Sequence, residues 1–119
     1  MRFAFLATLL LLSGNCFSQI SHPRAHAHND YEHSRPLFAA LESGFRSIEA
    51  DIHLIDGKLY VSHGRPKGGN APTLKALYLD PLDSMLLVNA LQDDDMPLTL
   101  LIDIKTDAAE TLEQLVQVL

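Results

Sequence analysis

Glu49-Ala50-Asp51 sets two carboxylates two residues apart in Ser47 to Ile55, a segment that alternates strictly from Ile48 to Leu54. In a strand such residues share one face, while Ile48, Ala50, Ile52 and Leu54 pack the other. Carboxylates about 7 Å apart repel each other unless positive charge lies between them, and a hard divalent cation with oxygen ligands meets that need. Taken alone, the pair fits an ordinary half-exposed strand at least as well. Asp103 changes the balance, because one carboxylate inside the apolar run Leu98 to Ile104 is costly to bury unpaired. Near the C-terminal end of a parallel strand it faces the mouth where α/β sheets bind ligands. If its strand neighbours that of Glu49 and Asp51, the three form an acidic cluster suited to Mg2+ or Ca2+. Lys105 shares the face of Asp103 and is placed to contact a phosphate.

Six histidines accompany these carboxylates. His22, His26, His28 and His33 crowd the segment before the first helix, and His53 and His63 lie on a hairpin. Imidazole relays protons near neutral pH, which is what a general acid–base pair requires. His22 and His33 read as surface loop residues. His53 alternates onto the face of Asp51 but lies nearer the turn, where plain exposure also accounts for it.

The elements that must position these groups follow from punctuation and periodicity. Gln19 to Pro36 is polar, and Pro23 and Pro36 break any regular element there. Pro36 opens a helix with Leu37, Phe38, Ala40 and Leu41 at helical spacing, stopped by Gly44. The strand Ser47 to Ile55 returns through an Asp56-Gly57 hairpin turn as Lys58 to His63. Gly64 to Pro72 is a loop. Thr73 caps a short helix, Leu74 to Leu79, and Pro81 starts a second one, through Leu91. Asp93-Asp94-Asp95 is a solvated loop. Leu98 to Ile104 reads as a strand buried on both faces of a parallel sheet. Thr106 or Asp107 caps a last amphipathic helix carrying Leu112, Leu115, Val116 and Leu119. The fold class is therefore α/β. The last helix carries no stop signal, so the expectation is the N-terminal portion of a TIM-type barrel, about three of its eight units, apparently truncated. The alternative is a complete small α/β domain.

The 119 residues carry a formal charge of −6, with 47% hydrophobic residues, which excludes disorder and a basic nucleic-acid binder. Arg2, the uncharged run Phe3 to Leu12 and the small polar Ser13 to Ser18 form the pattern of a signal peptide over residues 1–18. A helix over Phe3 to Leu12 reaches about 15 Å, half a hydrocarbon core, so no stable membrane span is expected. Cleavage removes Arg2 and Cys16, leaving an exported chain, residues 19–119, without a thiol and with one more net negative charge. Such a chain draws in an anionic substrate only through a local reversal of the field, as a metal ion provides.

Several segments together carry a resemblance. They are His28-Asn29-Asp30-Tyr31, Pro36-Leu37 through Gly44-Phe45, Ser47-Ile48-Glu49-Ala50-Asp51, Asp56-Gly57 and Val61-Ser62-His63. In this order they resemble the phosphatidylinositol phospholipase C-like phosphodiesterase superfamily, and within it the glycerophosphodiester phosphodiesterases. The pattern is closer still to the branch that includes the fungal "altered inheritance of mitochondria" protein, which also carries a segment like Thr73 to Leu82. Asp103-Ile104-Lys105-Thr106 resembles the third metal-ligand strand of sphingomyelinase D enzymes. Asn29-Asp30 stands where glycerophosphodiesterases carry Arg-Gly, and an aspartate, Asp103, where many carry glutamate. The resemblance implies a barrel with a divalent metal at its mouth, Glu49, Asp51 and Asp103 as ligands, and His28 and His63 as the acid–base pair. It implies hydrolysis of a small-molecule or lipid-derived phosphodiester, with Asn29 and Lys105 as substrate-binding candidates. Two other readings stand beside it. His26-Ala27-His28 is also the His-x-His pattern of metal-dependent barrel hydrolases, in which imidazoles select zinc. A non-catalytic exported fragment is the other.

Overall fold

A computed structural model of the chain describes residues 24–67, 69–88, 91 and 96–119. The expected signal peptide and the Asp93-Asp94-Asp95 loop lie outside the described residues. Among those described, no helix is long and apolar enough to cross a membrane.

The architecture is mixed α/β around a four-stranded sheet. Its axis is β2 (Ser47–Ile55), whose alternation the sequence displays. On one edge, β2 pairs in parallel with β4 (Thr99–Ile104), with Asp51 opposite Asp103. On the other it pairs in parallel with the two-residue strand β1 (His26–Ala27), and further along with antiparallel β3 (Lys58–Val61). Asp56 and Gly57 both have positive φ, 48° and 72°, as a primed two-residue hairpin turn demands. The α/β expectation holds in this coarser form; no closed barrel is present among the described residues.

Ile48, Ala50 and Ile52 are wholly buried on one face of β2, packed with Leu59 and Val61 of β3. Three helical elements supply the rest of that core. The first, α1 (Phe38–Glu42), contributes Ala40 and follows the buried Leu37. It ends in a Schellman motif, with the Phe45 amide on the Ala40 carbonyl at 3.0 Å, the Gly44 amide on Leu41 at 2.9 Å, and Gly44 at φ 81°. The second is a π-helical turn, Lys75–Leu79, leading into α2 (Asp80–Leu87) and burying Leu74 and Tyr78. The third, α3 (Ala108–Val118), contributes Leu115. Each fully buried aliphatic side chain contributes about 1.5–3 kcal/mol, so this core decides which face of β2 is apolar. It sets Glu49, Asp51 and His53 on the opposite face, where they too are buried.

Four expectations need correction. The segment before Pro36 is not free of regular structure, since β1 and a 3-10 turn (Asp30–Glu32) lie in it. The two helices expected over 74–79 and from Pro81 are continuous. The wide π turn falls just ahead of Pro81, where α-helical register would require its missing N–H and drive its ring against the residue 77 carbonyl. The strand expected over 98–104 is parallel but not buried on both faces: Leu101, on the face it shares with Asp103 and opposite Glu49, is 44% exposed. On α3 the inward stripe is Thr111, Leu115 and Val118, while Leu112, Val116 and Leu119 are exposed. Asp107, not Thr106, caps this helix, accepting from the Ala109 and Glu110 amides.

Candidate metal and phosphodiester site

The polar face of β2 carries Ser47, Glu49, Asp51 and His53 in alternation. The parallel register sets Asp103 beside Asp51. One ligand oxygen from each of Glu49, Asp51 and Asp103 lies within 4.8 Å of the others. Oxygens sharing one ion are at most twice the metal–oxygen distance apart, about 4.2 Å for Mg2+ and about 4.6–5.2 Å for Ca2+. The spacing is thus within the range for Ca2+ and slightly wide for Mg2+. The Lys105 ammonium, 2.6 Å from Asp103 Oδ2 and 3.2 Å from Asp51 Oδ2, would have to move aside for either ion.

Asp51 is 1% exposed, and its Oδ1 has no hydrogen-bond partner. A buried carboxylate oxygen without a donor is costly and is what a cation would satisfy. The other oxygen, Oδ2, is crowded. The Tyr31 hydroxyl lies at 2.8 Å, the Lys105 ammonium at 3.2 Å and His63 Nδ1 at 3.2 Å. Burial works against ionisation of Asp51, but the hydrogen bonds from Tyr31 and Lys105, the Lys105 charge and the His63 contact outweigh it, holding the carboxyl below its usual range. Lys105 also lies 2.6 Å from Asp103 Oδ2, and its hydrogen bonds to Asp103 and Asp51 raise its own pKa. Three carboxylates and one ammonium leave a residual charge of about −2, which matches a dication.

The expected histidines arrive at different carboxylates. His28, immediately after β1, places Nε2 3.3 Å from Glu49 Oε2, and His63, after β3, meets Asp51. Their side chains are 70% and 67% exposed, so each ring keeps a face toward solvent. The Asn29 backbone amide donates to Glu49 Oε2 at 3.2 Å. Its side-chain Oδ1 lies 3.0 Å from the Tyr31 hydroxyl, so Asn29 reaches the cluster through its backbone and through Tyr31. All seven residues singled out from sequence, His28, Asn29, Glu49, Asp51, His63, Asp103 and Lys105, meet in one network. His53 is buried, with Nε2 3.1 Å from the Ser62 carbonyl, which corrects the reading of it as an exposed residue near the turn and keeps it apart from the three carboxylates. His33 is exposed, as expected of a loop residue.

The sequence does not single out Tyr31, and it offers His26 only in the His-x-His pattern. Tyr31 holds Asp51 directly; burial and its bond to Asp51 raise its pKa, keeping it a donor. His26 braces Ser47 at 2.8 Å through Nδ1 and lies 3.9 Å from Glu49 through Nε2. The crowding of aromatic and imidazole side chains before Pro36 was the available signal, but a turn has no periodicity to orient it. The grouping with metal-ligand spacing among the described residues is all oxygen, which suits a hard cation rather than zinc.

Residues 15–95 match the AIM6-like phosphodiesterase domain family. The chain is 45% identical over 67 residues to altered inheritance of mitochondria protein 6 of Lachancea thermotolerans, a match covering 54% of this chain and 16% of that protein. It is 39% identical over 67 residues to the homolog from Arthroderma benhamiae, covering 51% and 21% respectively. The match thus spans only about a fifth of the length of these relatives, 16% of one and 21% of the other. No solved structure matches it significantly.

Proposed function

Because the chain belongs to the AIM6-like phosphodiesterase domain family, we propose that Glu49, Asp51 and Asp103 hold one Mg2+ or Ca2+ ion at which a phosphodiester is cleaved. The observation that carries this reading is the buried, unpartnered Oδ1 of Asp51 within a three-carboxylate cluster flanked by two imidazoles. When bound, the ion supplies positive charge against which the phosphoryl oxygens can build up negative charge.

The chain's own residues supply the proton chemistry and the positioning. One of His28 and His63 enters neutral and takes the proton from the attacking hydroxyl. The other enters protonated and gives its proton to the departing oxygen. The attacking hydroxyl is the substrate's own, so its new bond to phosphorus closes a cyclic ester as the bond to the departing oxygen breaks. Water then opens that ester with the roles reversed. Glu49 and Asp51 orient the two rings through the nitrogens they contact, leaving the opposite nitrogens for substrate. Lys105 turns from the carboxylates to a phosphoryl oxygen, and Asn29 binds the substrate beside His28. A glycerophosphodiester or phospholipid-type head group suits the open, polar surroundings. In the longer protein these strands form the first part of a closed barrel, and the leader directs export.

The test is hydrolysis, by the full-length protein, of a phosphodiester that carries a free hydroxyl able to attack its own phosphorus, such as a glycerophosphodiester. Turnover lost on chelation and restored by Mg2+ or Ca2+ supports the reading. Turnover indifferent to chelation contradicts the metal, and no turnover of any phosphodiester contradicts the function.

A further inference from the structure

Asp30 is fully buried, and the proposed chemistry does not use it. Its Oδ2 accepts from the Leu37 amide at 2.6 Å and the Tyr78 hydroxyl at 2.9 Å, while Oδ1 has no partner. A half-satisfied carboxylate is unfavourable in a core that an aliphatic side chain would fill. A second cost falls on Leu37, whose backbone lies at φ 63° and ψ −57°. The Phe38 amide bonds to the Pro36 carbonyl at 2.7 Å, closing a γ-turn of the strained hand around Leu37. Non-glycine residues keep such angles only where their surroundings over-determine them.

Both costs are attached to the turn that carries half the site. Asn29 lies in the left-handed region at φ 50°, and the residues around it point in opposing directions. His28 and the Asn29 amide reach Glu49, and Tyr31 reaches Asp51. Asp30 alone among these four points inward, to Leu37 and to Tyr78, 48 residues further along the chain.

We propose that Asp30 is a positioning residue: pegged between the Leu37 amide and the Tyr78 hydroxyl, it fixes how His28, Asn29 and Tyr31 meet Glu49 and Asp51. An acceptor oxygen is needed at this position because it must accept from two donors that approach from separate elements. The kinetic consequence rests on the phosphodiesterase reading; the geometric one does not.

The experiment uses the full-length protein with Tyr78→Phe, Asp30→Ala and Asp30→Asn. Amide hydrogen exchange at Asn29 is read alongside kcat and KM. Losing a bond to a charged acceptor speeds Asn29 exchange about tenfold or more in Tyr78→Phe and Asp30→Ala. Their kcat falls comparably while KM holds, and Asp30→Asn, which keeps an acceptor oxygen, recovers most of both. Unchanged Asn29 exchange in Tyr78→Phe overturns the proposal, and so does exchange that quickens uniformly throughout the protein. If Asp30→Ala fails to fold, Tyr78→Phe decides. Local loosening at Asn29 in a protein that cleaves no phosphodiester leaves the peg standing and removes the catalytic reading.

Discussion

The Lys105 ammonium stands 3.2 Å from Asp51 Oδ2, inside the acidic cluster rather than beyond it. It pairs with Asp51 and Asp103, two of the three carboxylates, so a divalent cation has to compete with it. Lys105→Met should therefore bind Mg2+ or Ca2+ roughly fivefold or more tightly, the lower end of ordinary coupling between sites. The same variant loses a phosphate contact, so KM for an anionic substrate rises. A metal titration followed by thermal unfolding checks the first effect and steady-state kinetics the second. Weaker metal binding in Lys105→Met contradicts the competition.

His28 and His63 contact different carboxylates, and each should be separately required. His28→Asn and His63→Asn are expected to lower kcat by about 10²–10⁴-fold, with metal affinity little changed. Each variant should also lose one limb of the pH–rate profile. A bell that survives intact in either removes that histidine from proton transfer.

How much of this was legible in the sequence differs by residue. β2 could be bounded from alternation alone, and Asp56-Gly57 identified its hairpin, because period two and paired positive φ have unambiguous residue signatures. The grouping of Glu49, Asp51 and Asp103 followed from a face rule on one strand and a lone carboxylate on another. Tyr31 and Asp30 did not follow, because their directions depend on a turn at Asn29 and on Tyr78, far along the chain. Helix α1 also starts later than Pro36 suggests, since the Leu37 amide is drawn to Asp30.

Tyr78 makes stability fall at alkaline pH. Burial, with the Asp30 bond and charge next, pushes its pKa far above the ordinary value near 10. A folded-state pKa raised above the unfolded one gives stability that is present below about pH 10 and lost as pH rises toward the folded pKa. The slope above pH 10 is at most about 1.4 kcal/mol per pH unit for this one group. Tyr78→Phe should flatten it in denaturant titrations between pH 9 and pH 11, values chosen to bracket the unfolded tyrosine pKa of about 10. An unchanged slope indicates that Tyr78 ionises freely in the folded protein.

Leu37 sets two effects against each other. Glycine relieves a backbone strain of about 1–3 kcal/mol. It also empties a wholly buried side-chain position, which for leucine costs about 2–5 kcal/mol even when alanine remains. Leu37→Gly is accordingly expected to lose about 2 kcal/mol net in chemical denaturation, given these opposing ranges. A stabilised variant means that strain outweighs packing at this turn.

Calorimetric titration of Mg2+ and Ca2+ into the full-length protein and its Asp51→Asn variant addresses the central claim most directly. One ion per chain in the wild type, with affinity lowered about a hundredfold or more by Asp51→Asn, is the predicted result, since an amide cannot replace a buried anionic ligand. Equal binding by the two proteins, or no binding by either, contradicts a metal centre on Glu49, Asp51 and Asp103.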